Sequence, residues 1–141
     1  MPPQCSMSAW KEFIMKQQEI VESLLAQAGD NRSAAVSNFN NKHYDWSLFL
    51  WHLVIEKTLK ALIVNHGEIP PYSHNLVSLA KKAKLSLSLE QREELKEISK
   101  FNLEARYDNY KRDFHKKADK KFATQWVKIA ERHYQWLIKE F

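Results

Sequence analysis

Apolar positions are densest between Asp45 and Gly67, in the stretch DWSLFLWHLVIEKTLKALIVNHG. Leu48, Trp51, Ile55, Leu59, Leu62 and Ile63 recur at helical spacing, and Trp46, Leu50, Leu53 and Val54 widen the stripe. A helix apolar around most of its circumference belongs at the centre of a bundle, covered by its neighbours. One narrow seam stays polar: His52, Glu56 and Lys60, at i, i+4 and i+8. Glu56 ahead of Lys60 is the favoured orientation for an i,i+4 ion pair. The seam reads either as a solvated edge carrying a weak pair or as a binding seam between helices.

On the N-terminal side, residues 1–7 read as a flexible arm, and residues 8–141 as a single domain. Phe13, Ile14, Ile20, Val21, Leu24, Leu25 and Ala28 follow the 3.6-residue period from Trp10 onward and predict a first helix. Gly29-Asp30 either ends that helix or only weakens it. Ala34, Ala35, Val36 and Phe39 resume the pattern before NNKHYD turns the chain, so one long bent helix and two shorter pieces both fit. The central helix is expected from Asp45, as N-cap, to about Asn65, with Gly67 as its stop and Pro70-Pro71 barring continuation.

Leu76, Leu79, Ala80 and Ala83 predict a short helix over 75–84. Ser88 with Gln91 three residues on is a capping-box signature for a fourth, which turns Leu95, Ile98 and Phe101 inward. The segment ARYDNYKRDFHKKADKK loses apolar periodicity and is expected to be irregular. From about Lys117, Phe122, Trp126, Ile129, Ala130, His133 and Leu137 restore it. Connections this short force antiparallel neighbours, which gives an all-α, up-and-down bundle of four to five helices.

Composition supports long elements, since only two glycines and four prolines occur in 141 residues. Five Trp, five Tyr and seven Phe are more rings than one small core needs, and the surplus predicts an oligomer interface. A lone cysteine, Cys5, excludes an internal disulfide. The start MPPQCSMSAW lacks the pattern of a secretory signal, and the longest apolar run is too short for a bilayer. A cytoplasmic location follows as the expectation.

The net charge of +5 is uneven. Seven Lys or Arg face three Asp between Arg106 and Lys121, while the remaining fifteen basic and fourteen acidic residues nearly cancel. A localised basic patch attracts phosphates, although a solvated helix end gives the same run. Six histidines, at 43, 52, 66, 74, 115 and 133, show no zinc-type spacing, and no Gly-rich phosphate loop or GxSxG elbow is present. No cofactor is predicted. His133 sits on the inward stripe of the last helix and reads as a core histidine. His74, after the Pro-Pro connection, either caps a helix or faces a ligand.

The richest constellation is Arg106, Tyr107, Asp108, Tyr110, Lys111, Arg112 and His115. Arginine gives bidentate phosphate contacts, tyrosine a stacking surface and histidine a proton acceptor. Alternatively, Arg106 pairs with a buried acid such as Glu56 and the tyrosines close the end of the bundle.

The segments YDWS, EKTLKAL, PPYSHNL and ARYD, together with the final helix, resemble the HEPN domain in their order and spacing over residues 33–140. That family is named for higher eukaryotes and prokaryotes nucleotide-binding. The resemblance implies a bundle of four or five helices that commonly forms homodimers. It also implies work beside a small nucleotidyltransferase, with the HEPN subunit similar to the substrate-binding helical domain of aminoglycoside nucleotidyltransferases. Other HEPN branches are metal-independent ribonucleases, several of them toxins, with an Arg, four to six intervening residues and a His.

This chain departs from that spacing. Lys111, Arg112 and Asp113 stand where the histidine should fall after Arg106, and His115 follows eight intervening residues.

The expected function is therefore a dimeric module that binds a nucleotide or another phosphate-bearing ligand. Arg106, Tyr107, Asp108, Lys111, Arg112 and His115 would contact it, with His74, Glu56 and Lys60 lining an adjacent cleft. A ribonuclease using Arg106 and His115 on RNA is the alternative, and an antitoxin-like scaffold that binds only a partner protein is a third.

Overall fold

The computed structural model describes residues 7–141. Apart from Met7, which opens the first helix, the expected N-terminal arm and its Cys5 lie outside the described residues. Six helices follow in order: α1 Met7–Asn40, α2 Tyr44–Asn65, α3 Leu76–Lys82, α4 Leu89–Arg106, α5 Asp108–Lys117 and α6 Lys120–Ile138. No strand occurs among the described residues. The all-α bundle thus has six helices rather than four or five, because the segment expected to be irregular after Arg106 is mostly helix α5.

Helix α1 runs unbroken through Gly29, which sits where an added Cβ would meet open space. It ends where Lys42 turns left-handed (φ 64°). His43 N then donates to Asn38 O at 2.8 Å and Lys42 N to Phe39 O at 3.0 Å, the paired bonds of a Schellman stop. Helix α2 ends in the same way at Gly67 (φ 84°), with bonds from Glu68 N to Ile63 O and from Gly67 N to Val64 O.

Three side-chain contacts fix α1 and α2 as an antiparallel pair. Gln17 reaches Val64 O at 2.7 Å, Lys57 reaches Gln27 at 2.7 Å, and Ser47 donates to Ala35 O at 2.7 Å. Helix α2 is the centre, as its pattern predicts: Leu48, Trp51, Val54, Ile55, Leu59, Leu62 and Ile63 are all buried. Each such side chain contributes about 1.5–3 kcal/mol by leaving water. The expected N-cap, Asp45, lies instead in the first turn, and His43 occupies the cap position without a side-chain bond.

Helices α4 and α6 run antiparallel on the far side, since Phe101 meets Phe122 at 6.2 Å while Glu94 meets His133 at 2.9 Å. Arg32 of α1 makes a bidentate pair with Glu131 of α6, between the rings of Trp51 and Tyr134. Phe114 is the buried anchor of α5, 5.5 Å from Phe101. One residue separates α4 from α5: Tyr107, extended at φ −100° and ψ 131°, closes the first and opens the second. Asp119 caps α6 by accepting from Phe122 N at 2.8 Å, so that helix starts three residues later than the sequence suggests.

Candidate functional site

Helix α5 carries Asp108, Lys111, Arg112 and His115 at i, i+3, i+4 and i+7, which places them on one face. Phe114, on the flank of that face next to Lys111, is buried in the core, and the polar face meets the start of α2. There Asp45 completes an open cleft of about 370 Å³ walled by these five residues. His115 Nδ1 lies 3.1 Å from Asp45 Oδ2 while most of its side chain (75%) remains exposed. An imidazole that donates from Nδ1 to a carboxylate keeps Nε2 as a proton acceptor. Lys111 extends over the Trp46 ring, 5.5 Å from its centroid. The cleft thus offers two cations, Lys111 and Arg112, an imidazole set against Asp45 and an adjoining indole.

The seam on α2 forms a separate cluster. His52 and Glu56 are buried rather than solvated, and the connection between α2 and α3 reaches both through His74. His74 supplies both contacts of that strap: its carbonyl lies 3.2 Å from His52 Nε2, and its Nδ1 lies 2.8 Å from Glu56 Oε1. Lys60 donates to Glu56 Oε2 at 3.0 Å. Burial alone pushes the Glu56 carboxyl up, but the bonds from His74 and Lys60 outweigh it and hold the group below the usual carboxylate value. Burial also pushes His52 below the usual histidine value, against the opposing pull of the His74 carbonyl and Glu56. His52 Nδ1 is left buried without a partner.

A family model for the HEPN domain matches residues 21–141. The chain belongs to the HEPN domain family. No curated protein matches it by sequence. Among solved structures, the HEPN chain is similar to TT1696 from Thermus thermophilus, with a TM-score of 0.74 and 18% identity. The likeness covers 86% of this chain and 98% of that one, and at such identity it bears on the fold.

Within this HEPN domain the anticipated site residues divide. Asp108, Lys111, Arg112 and His115 come together. Glu56, Lys60 and His74 also come together, but Glu56 lies eleven residues beyond Asp45 on α2, about 16 Å along the axis. They do not line the α5 cleft; Glu56 is consumed by its own buried network.

Arg106 ends α4 exposed, 3.4 Å from Asn102 Oδ1, so the suggested pair with Glu56 is absent. Tyr107 forms the corner beside it, and neither residue walls the cleft. His74 does not cap α3, because Asn75 does, accepting from Ser78 N at 3.1 Å. His133 is a core histidine, bonded through Nε2 to Glu94 at 2.9 Å.

Sequence reasoning missed Asp45 and Trp46. It assigned the first to a cap and the second to the core stripe. The available signal was the YDW run itself, which puts an acid and a ring at the exposed start of an otherwise apolar helix. Among the described residues, no group of three or more His, Cys, Asp or Glu is placed to hold a metal ion, and no helix is long and apolar enough to cross a membrane.

Proposed function

We propose that this HEPN domain is a binding module for a nucleotide or another phosphate-bearing ligand, seated in the cleft between α5 and the start of α2. The observation that carries the reading is the shared α5 face of Lys111, Arg112 and His115, set against Asp45 and Trp46. Arginine clamps phosphate oxygens in pairs, lysine adds a point charge, and the indole offers a face to a base. The surplus of basic residues from Arg106 to Lys121 draws anions toward the same end of the molecule. Arg106 and Tyr107, at the α4–α5 corner, flank the cleft and contact longer ligands. The module works as a homodimer beside a small nucleotidyltransferase, in keeping with its family.

The test is fluorescence anisotropy with a labelled adenine nucleotide and, separately, a labelled RNA oligonucleotide. Arg112→Ala should weaken binding by about 1–3 kcal/mol, the scale of a lost charge-assisted bond. Arg106→Ala should weaken it less. Equal affinity of wild type and Arg112→Ala for both probes, with helicity unchanged, would rule the cleft out.

The contact between His115 and Asp45 favours a second reading, a metal-independent ribonuclease. His115 Nε2 would take the proton of a 2′-hydroxyl, whose oxygen attacks the phosphate held by Arg112 and Lys111; the bond to the 5′-oxygen breaks, that oxygen takes a proton from water, and a 2′,3′-cyclic phosphate is left. Arg112 replaces Arg106 as the cation beside the histidine, although its two intervening residues also depart from the four to six of the family's ribonuclease branches. RNA cleavage in chelator that vanishes in His115→Ala and falls in Asp45→Asn is the expected outcome. Intact RNA with wild-type protein leaves the binding reading alone.

A further inference from the structure

The connection between α2 and α3 carries a tip that the rest of the fold does not cover. Ile69 (88% exposed) and Tyr72, which is wholly exposed, are the two most exposed large apolar side chains among the described residues. The tip is nonetheless braced on both sides. Glu68 N donates to Ile63 O at 3.1 Å at its root. His74 ties the far side to Glu56 and His52. Between these anchors the rings of Pro70 and Pro71 fix φ, and a bond from Ser73 N to Pro71 O at 2.9 Å sets Tyr72 at the apex of a three-residue turn. Two apolar groups held out in water are unfavourable, and a braced tip loses little entropy when something covers it.

Lysines stand beside the same tip. From His66 to Ser88 the chain holds Lys81, Lys82 and Lys84 against one acid, Glu68. Lys82 Nζ lies 3.9 Å from Glu68 Oε2, so the last turn of α3 comes back beside the root of the tip. Lys81 and Lys84 are exposed and form no ion pair among the described residues. We propose that the tip docks on an anionic lipid surface, with Ile69 and Tyr72 entering the headgroup boundary and the three lysines facing the lipid phosphates.

Three features favour lipid over a base-stacking or groove-forming partner. Pro70 and Pro71 carry no N–H, and the amides of Glu68, Ser73, Asn75 and Leu76 are bonded within the chain. The tip therefore takes few free donors into an apolar layer, where each would be costly. Ile69 has no ring face to stack on a base, whereas an aliphatic group beside a tyrosine suits the boundary between headgroups and acyl chains. All three cations are lysines, point charges on mobile stems that need no fixed partner geometry. Each contributes about fivefold near an anionic surface, so the docking is peripheral, weak and salt-sensitive. The tip shares no residue with the α5 cleft, so either proposal can fail without the other.

Flotation of the full chain with vesicles of phosphatidylglycerol and phosphatidylcholine, against vesicles of phosphatidylcholine alone, tests the surface. Wild type should float with the anionic vesicles, stay behind with the neutral ones, and be released as salt rises. Ile69→Ser should bind about tenfold more weakly, the loss expected for one Ile side chain taken out of water. Lys81→Glu/Lys84→Glu should bind about twentyfold more weakly or worse. A nitroxide on Tyr72→Cys, in a Cys5→Ser background, should gain oxygen accessibility when anionic vesicles are added. Melting temperature and nucleotide affinity of Ile69→Ser should stay at the wild-type values. No flotation, equal flotation of wild type and Ile69→Ser, binding that depends on Trp10 and not on Ile69, or a nitroxide that stays in water while the protein floats would each overturn the proposal. Loss of RNA affinity in Lys81→Glu/Lys84→Glu with vesicle binding intact would overturn it too.

Discussion

Glu56 shows how one carboxylate holds a connection in place. It receives His74 from the strap and Lys60 from its own helix, with His52 Nε2 at 3.6 Å. Its lowered proton affinity and that of His52 make the molecule acid-sensitive in two steps. An unfolded His52 titrates near 6.5, and the folded one lower. Between those values the unfolded chain binds more protons, so stability is lost as pH falls through 6.5 toward the folded value. His133, also lowered by burial against the pull of Glu94, adds to the same window. Glu56 gives a second loss below 4.5. The melting temperature should therefore drop between pH 7 and pH 5, and less steeply in His52→Gln/His133→Gln. An unchanged slope in that double variant would sink the assignment. The spacing of His52, Glu56 and Lys60 was legible in the sequence. Their burial was not, because the group that covers them arrives from His74, outside the helical period.

At the scale of elements, the ends of helices were read with uneven success. Ser88 and Gln91 form both bonds of a capping box, at 3.0 and 2.9 Å, as their spacing implies. Ser88→Ala should cost about 1 kcal/mol, read as a lower denaturation midpoint with an unchanged slope. A midpoint equal to that of wild type would show that this end contributes nothing. Helix stops were harder. Lys42 and Lys84 both take left-handed backbones at Schellman stops, positions where glycine is the usual signal. Helix α5 was missed for a related reason. Only Phe114 and the following Ala118 face the core, too few apolar positions to show a period. Its polar residues hold the period instead, and reading Asp108, Lys111, Arg112 and His115 as a face would have found both the helix and most of the cleft.

Across the whole molecule, the central place of α2 and the antiparallel pairing of α1 with it follow from apolar patterning and short connections. The division of polar groups into a cleft at one end of α2 and a buried strap anchor further along does not, since it depends on how α5 is aimed. That aim is set at Tyr107. A single extended residue joins two rigid rods, so two torsion angles determine how the α5 face meets Asp45. Phe114 then fixes the rod against Phe101. The corner behaves as an elbow with few degrees of freedom. A change that alters only its torsions retunes the spacing of two cations and a histidine against a carboxylate, without replacing any group that touches a ligand.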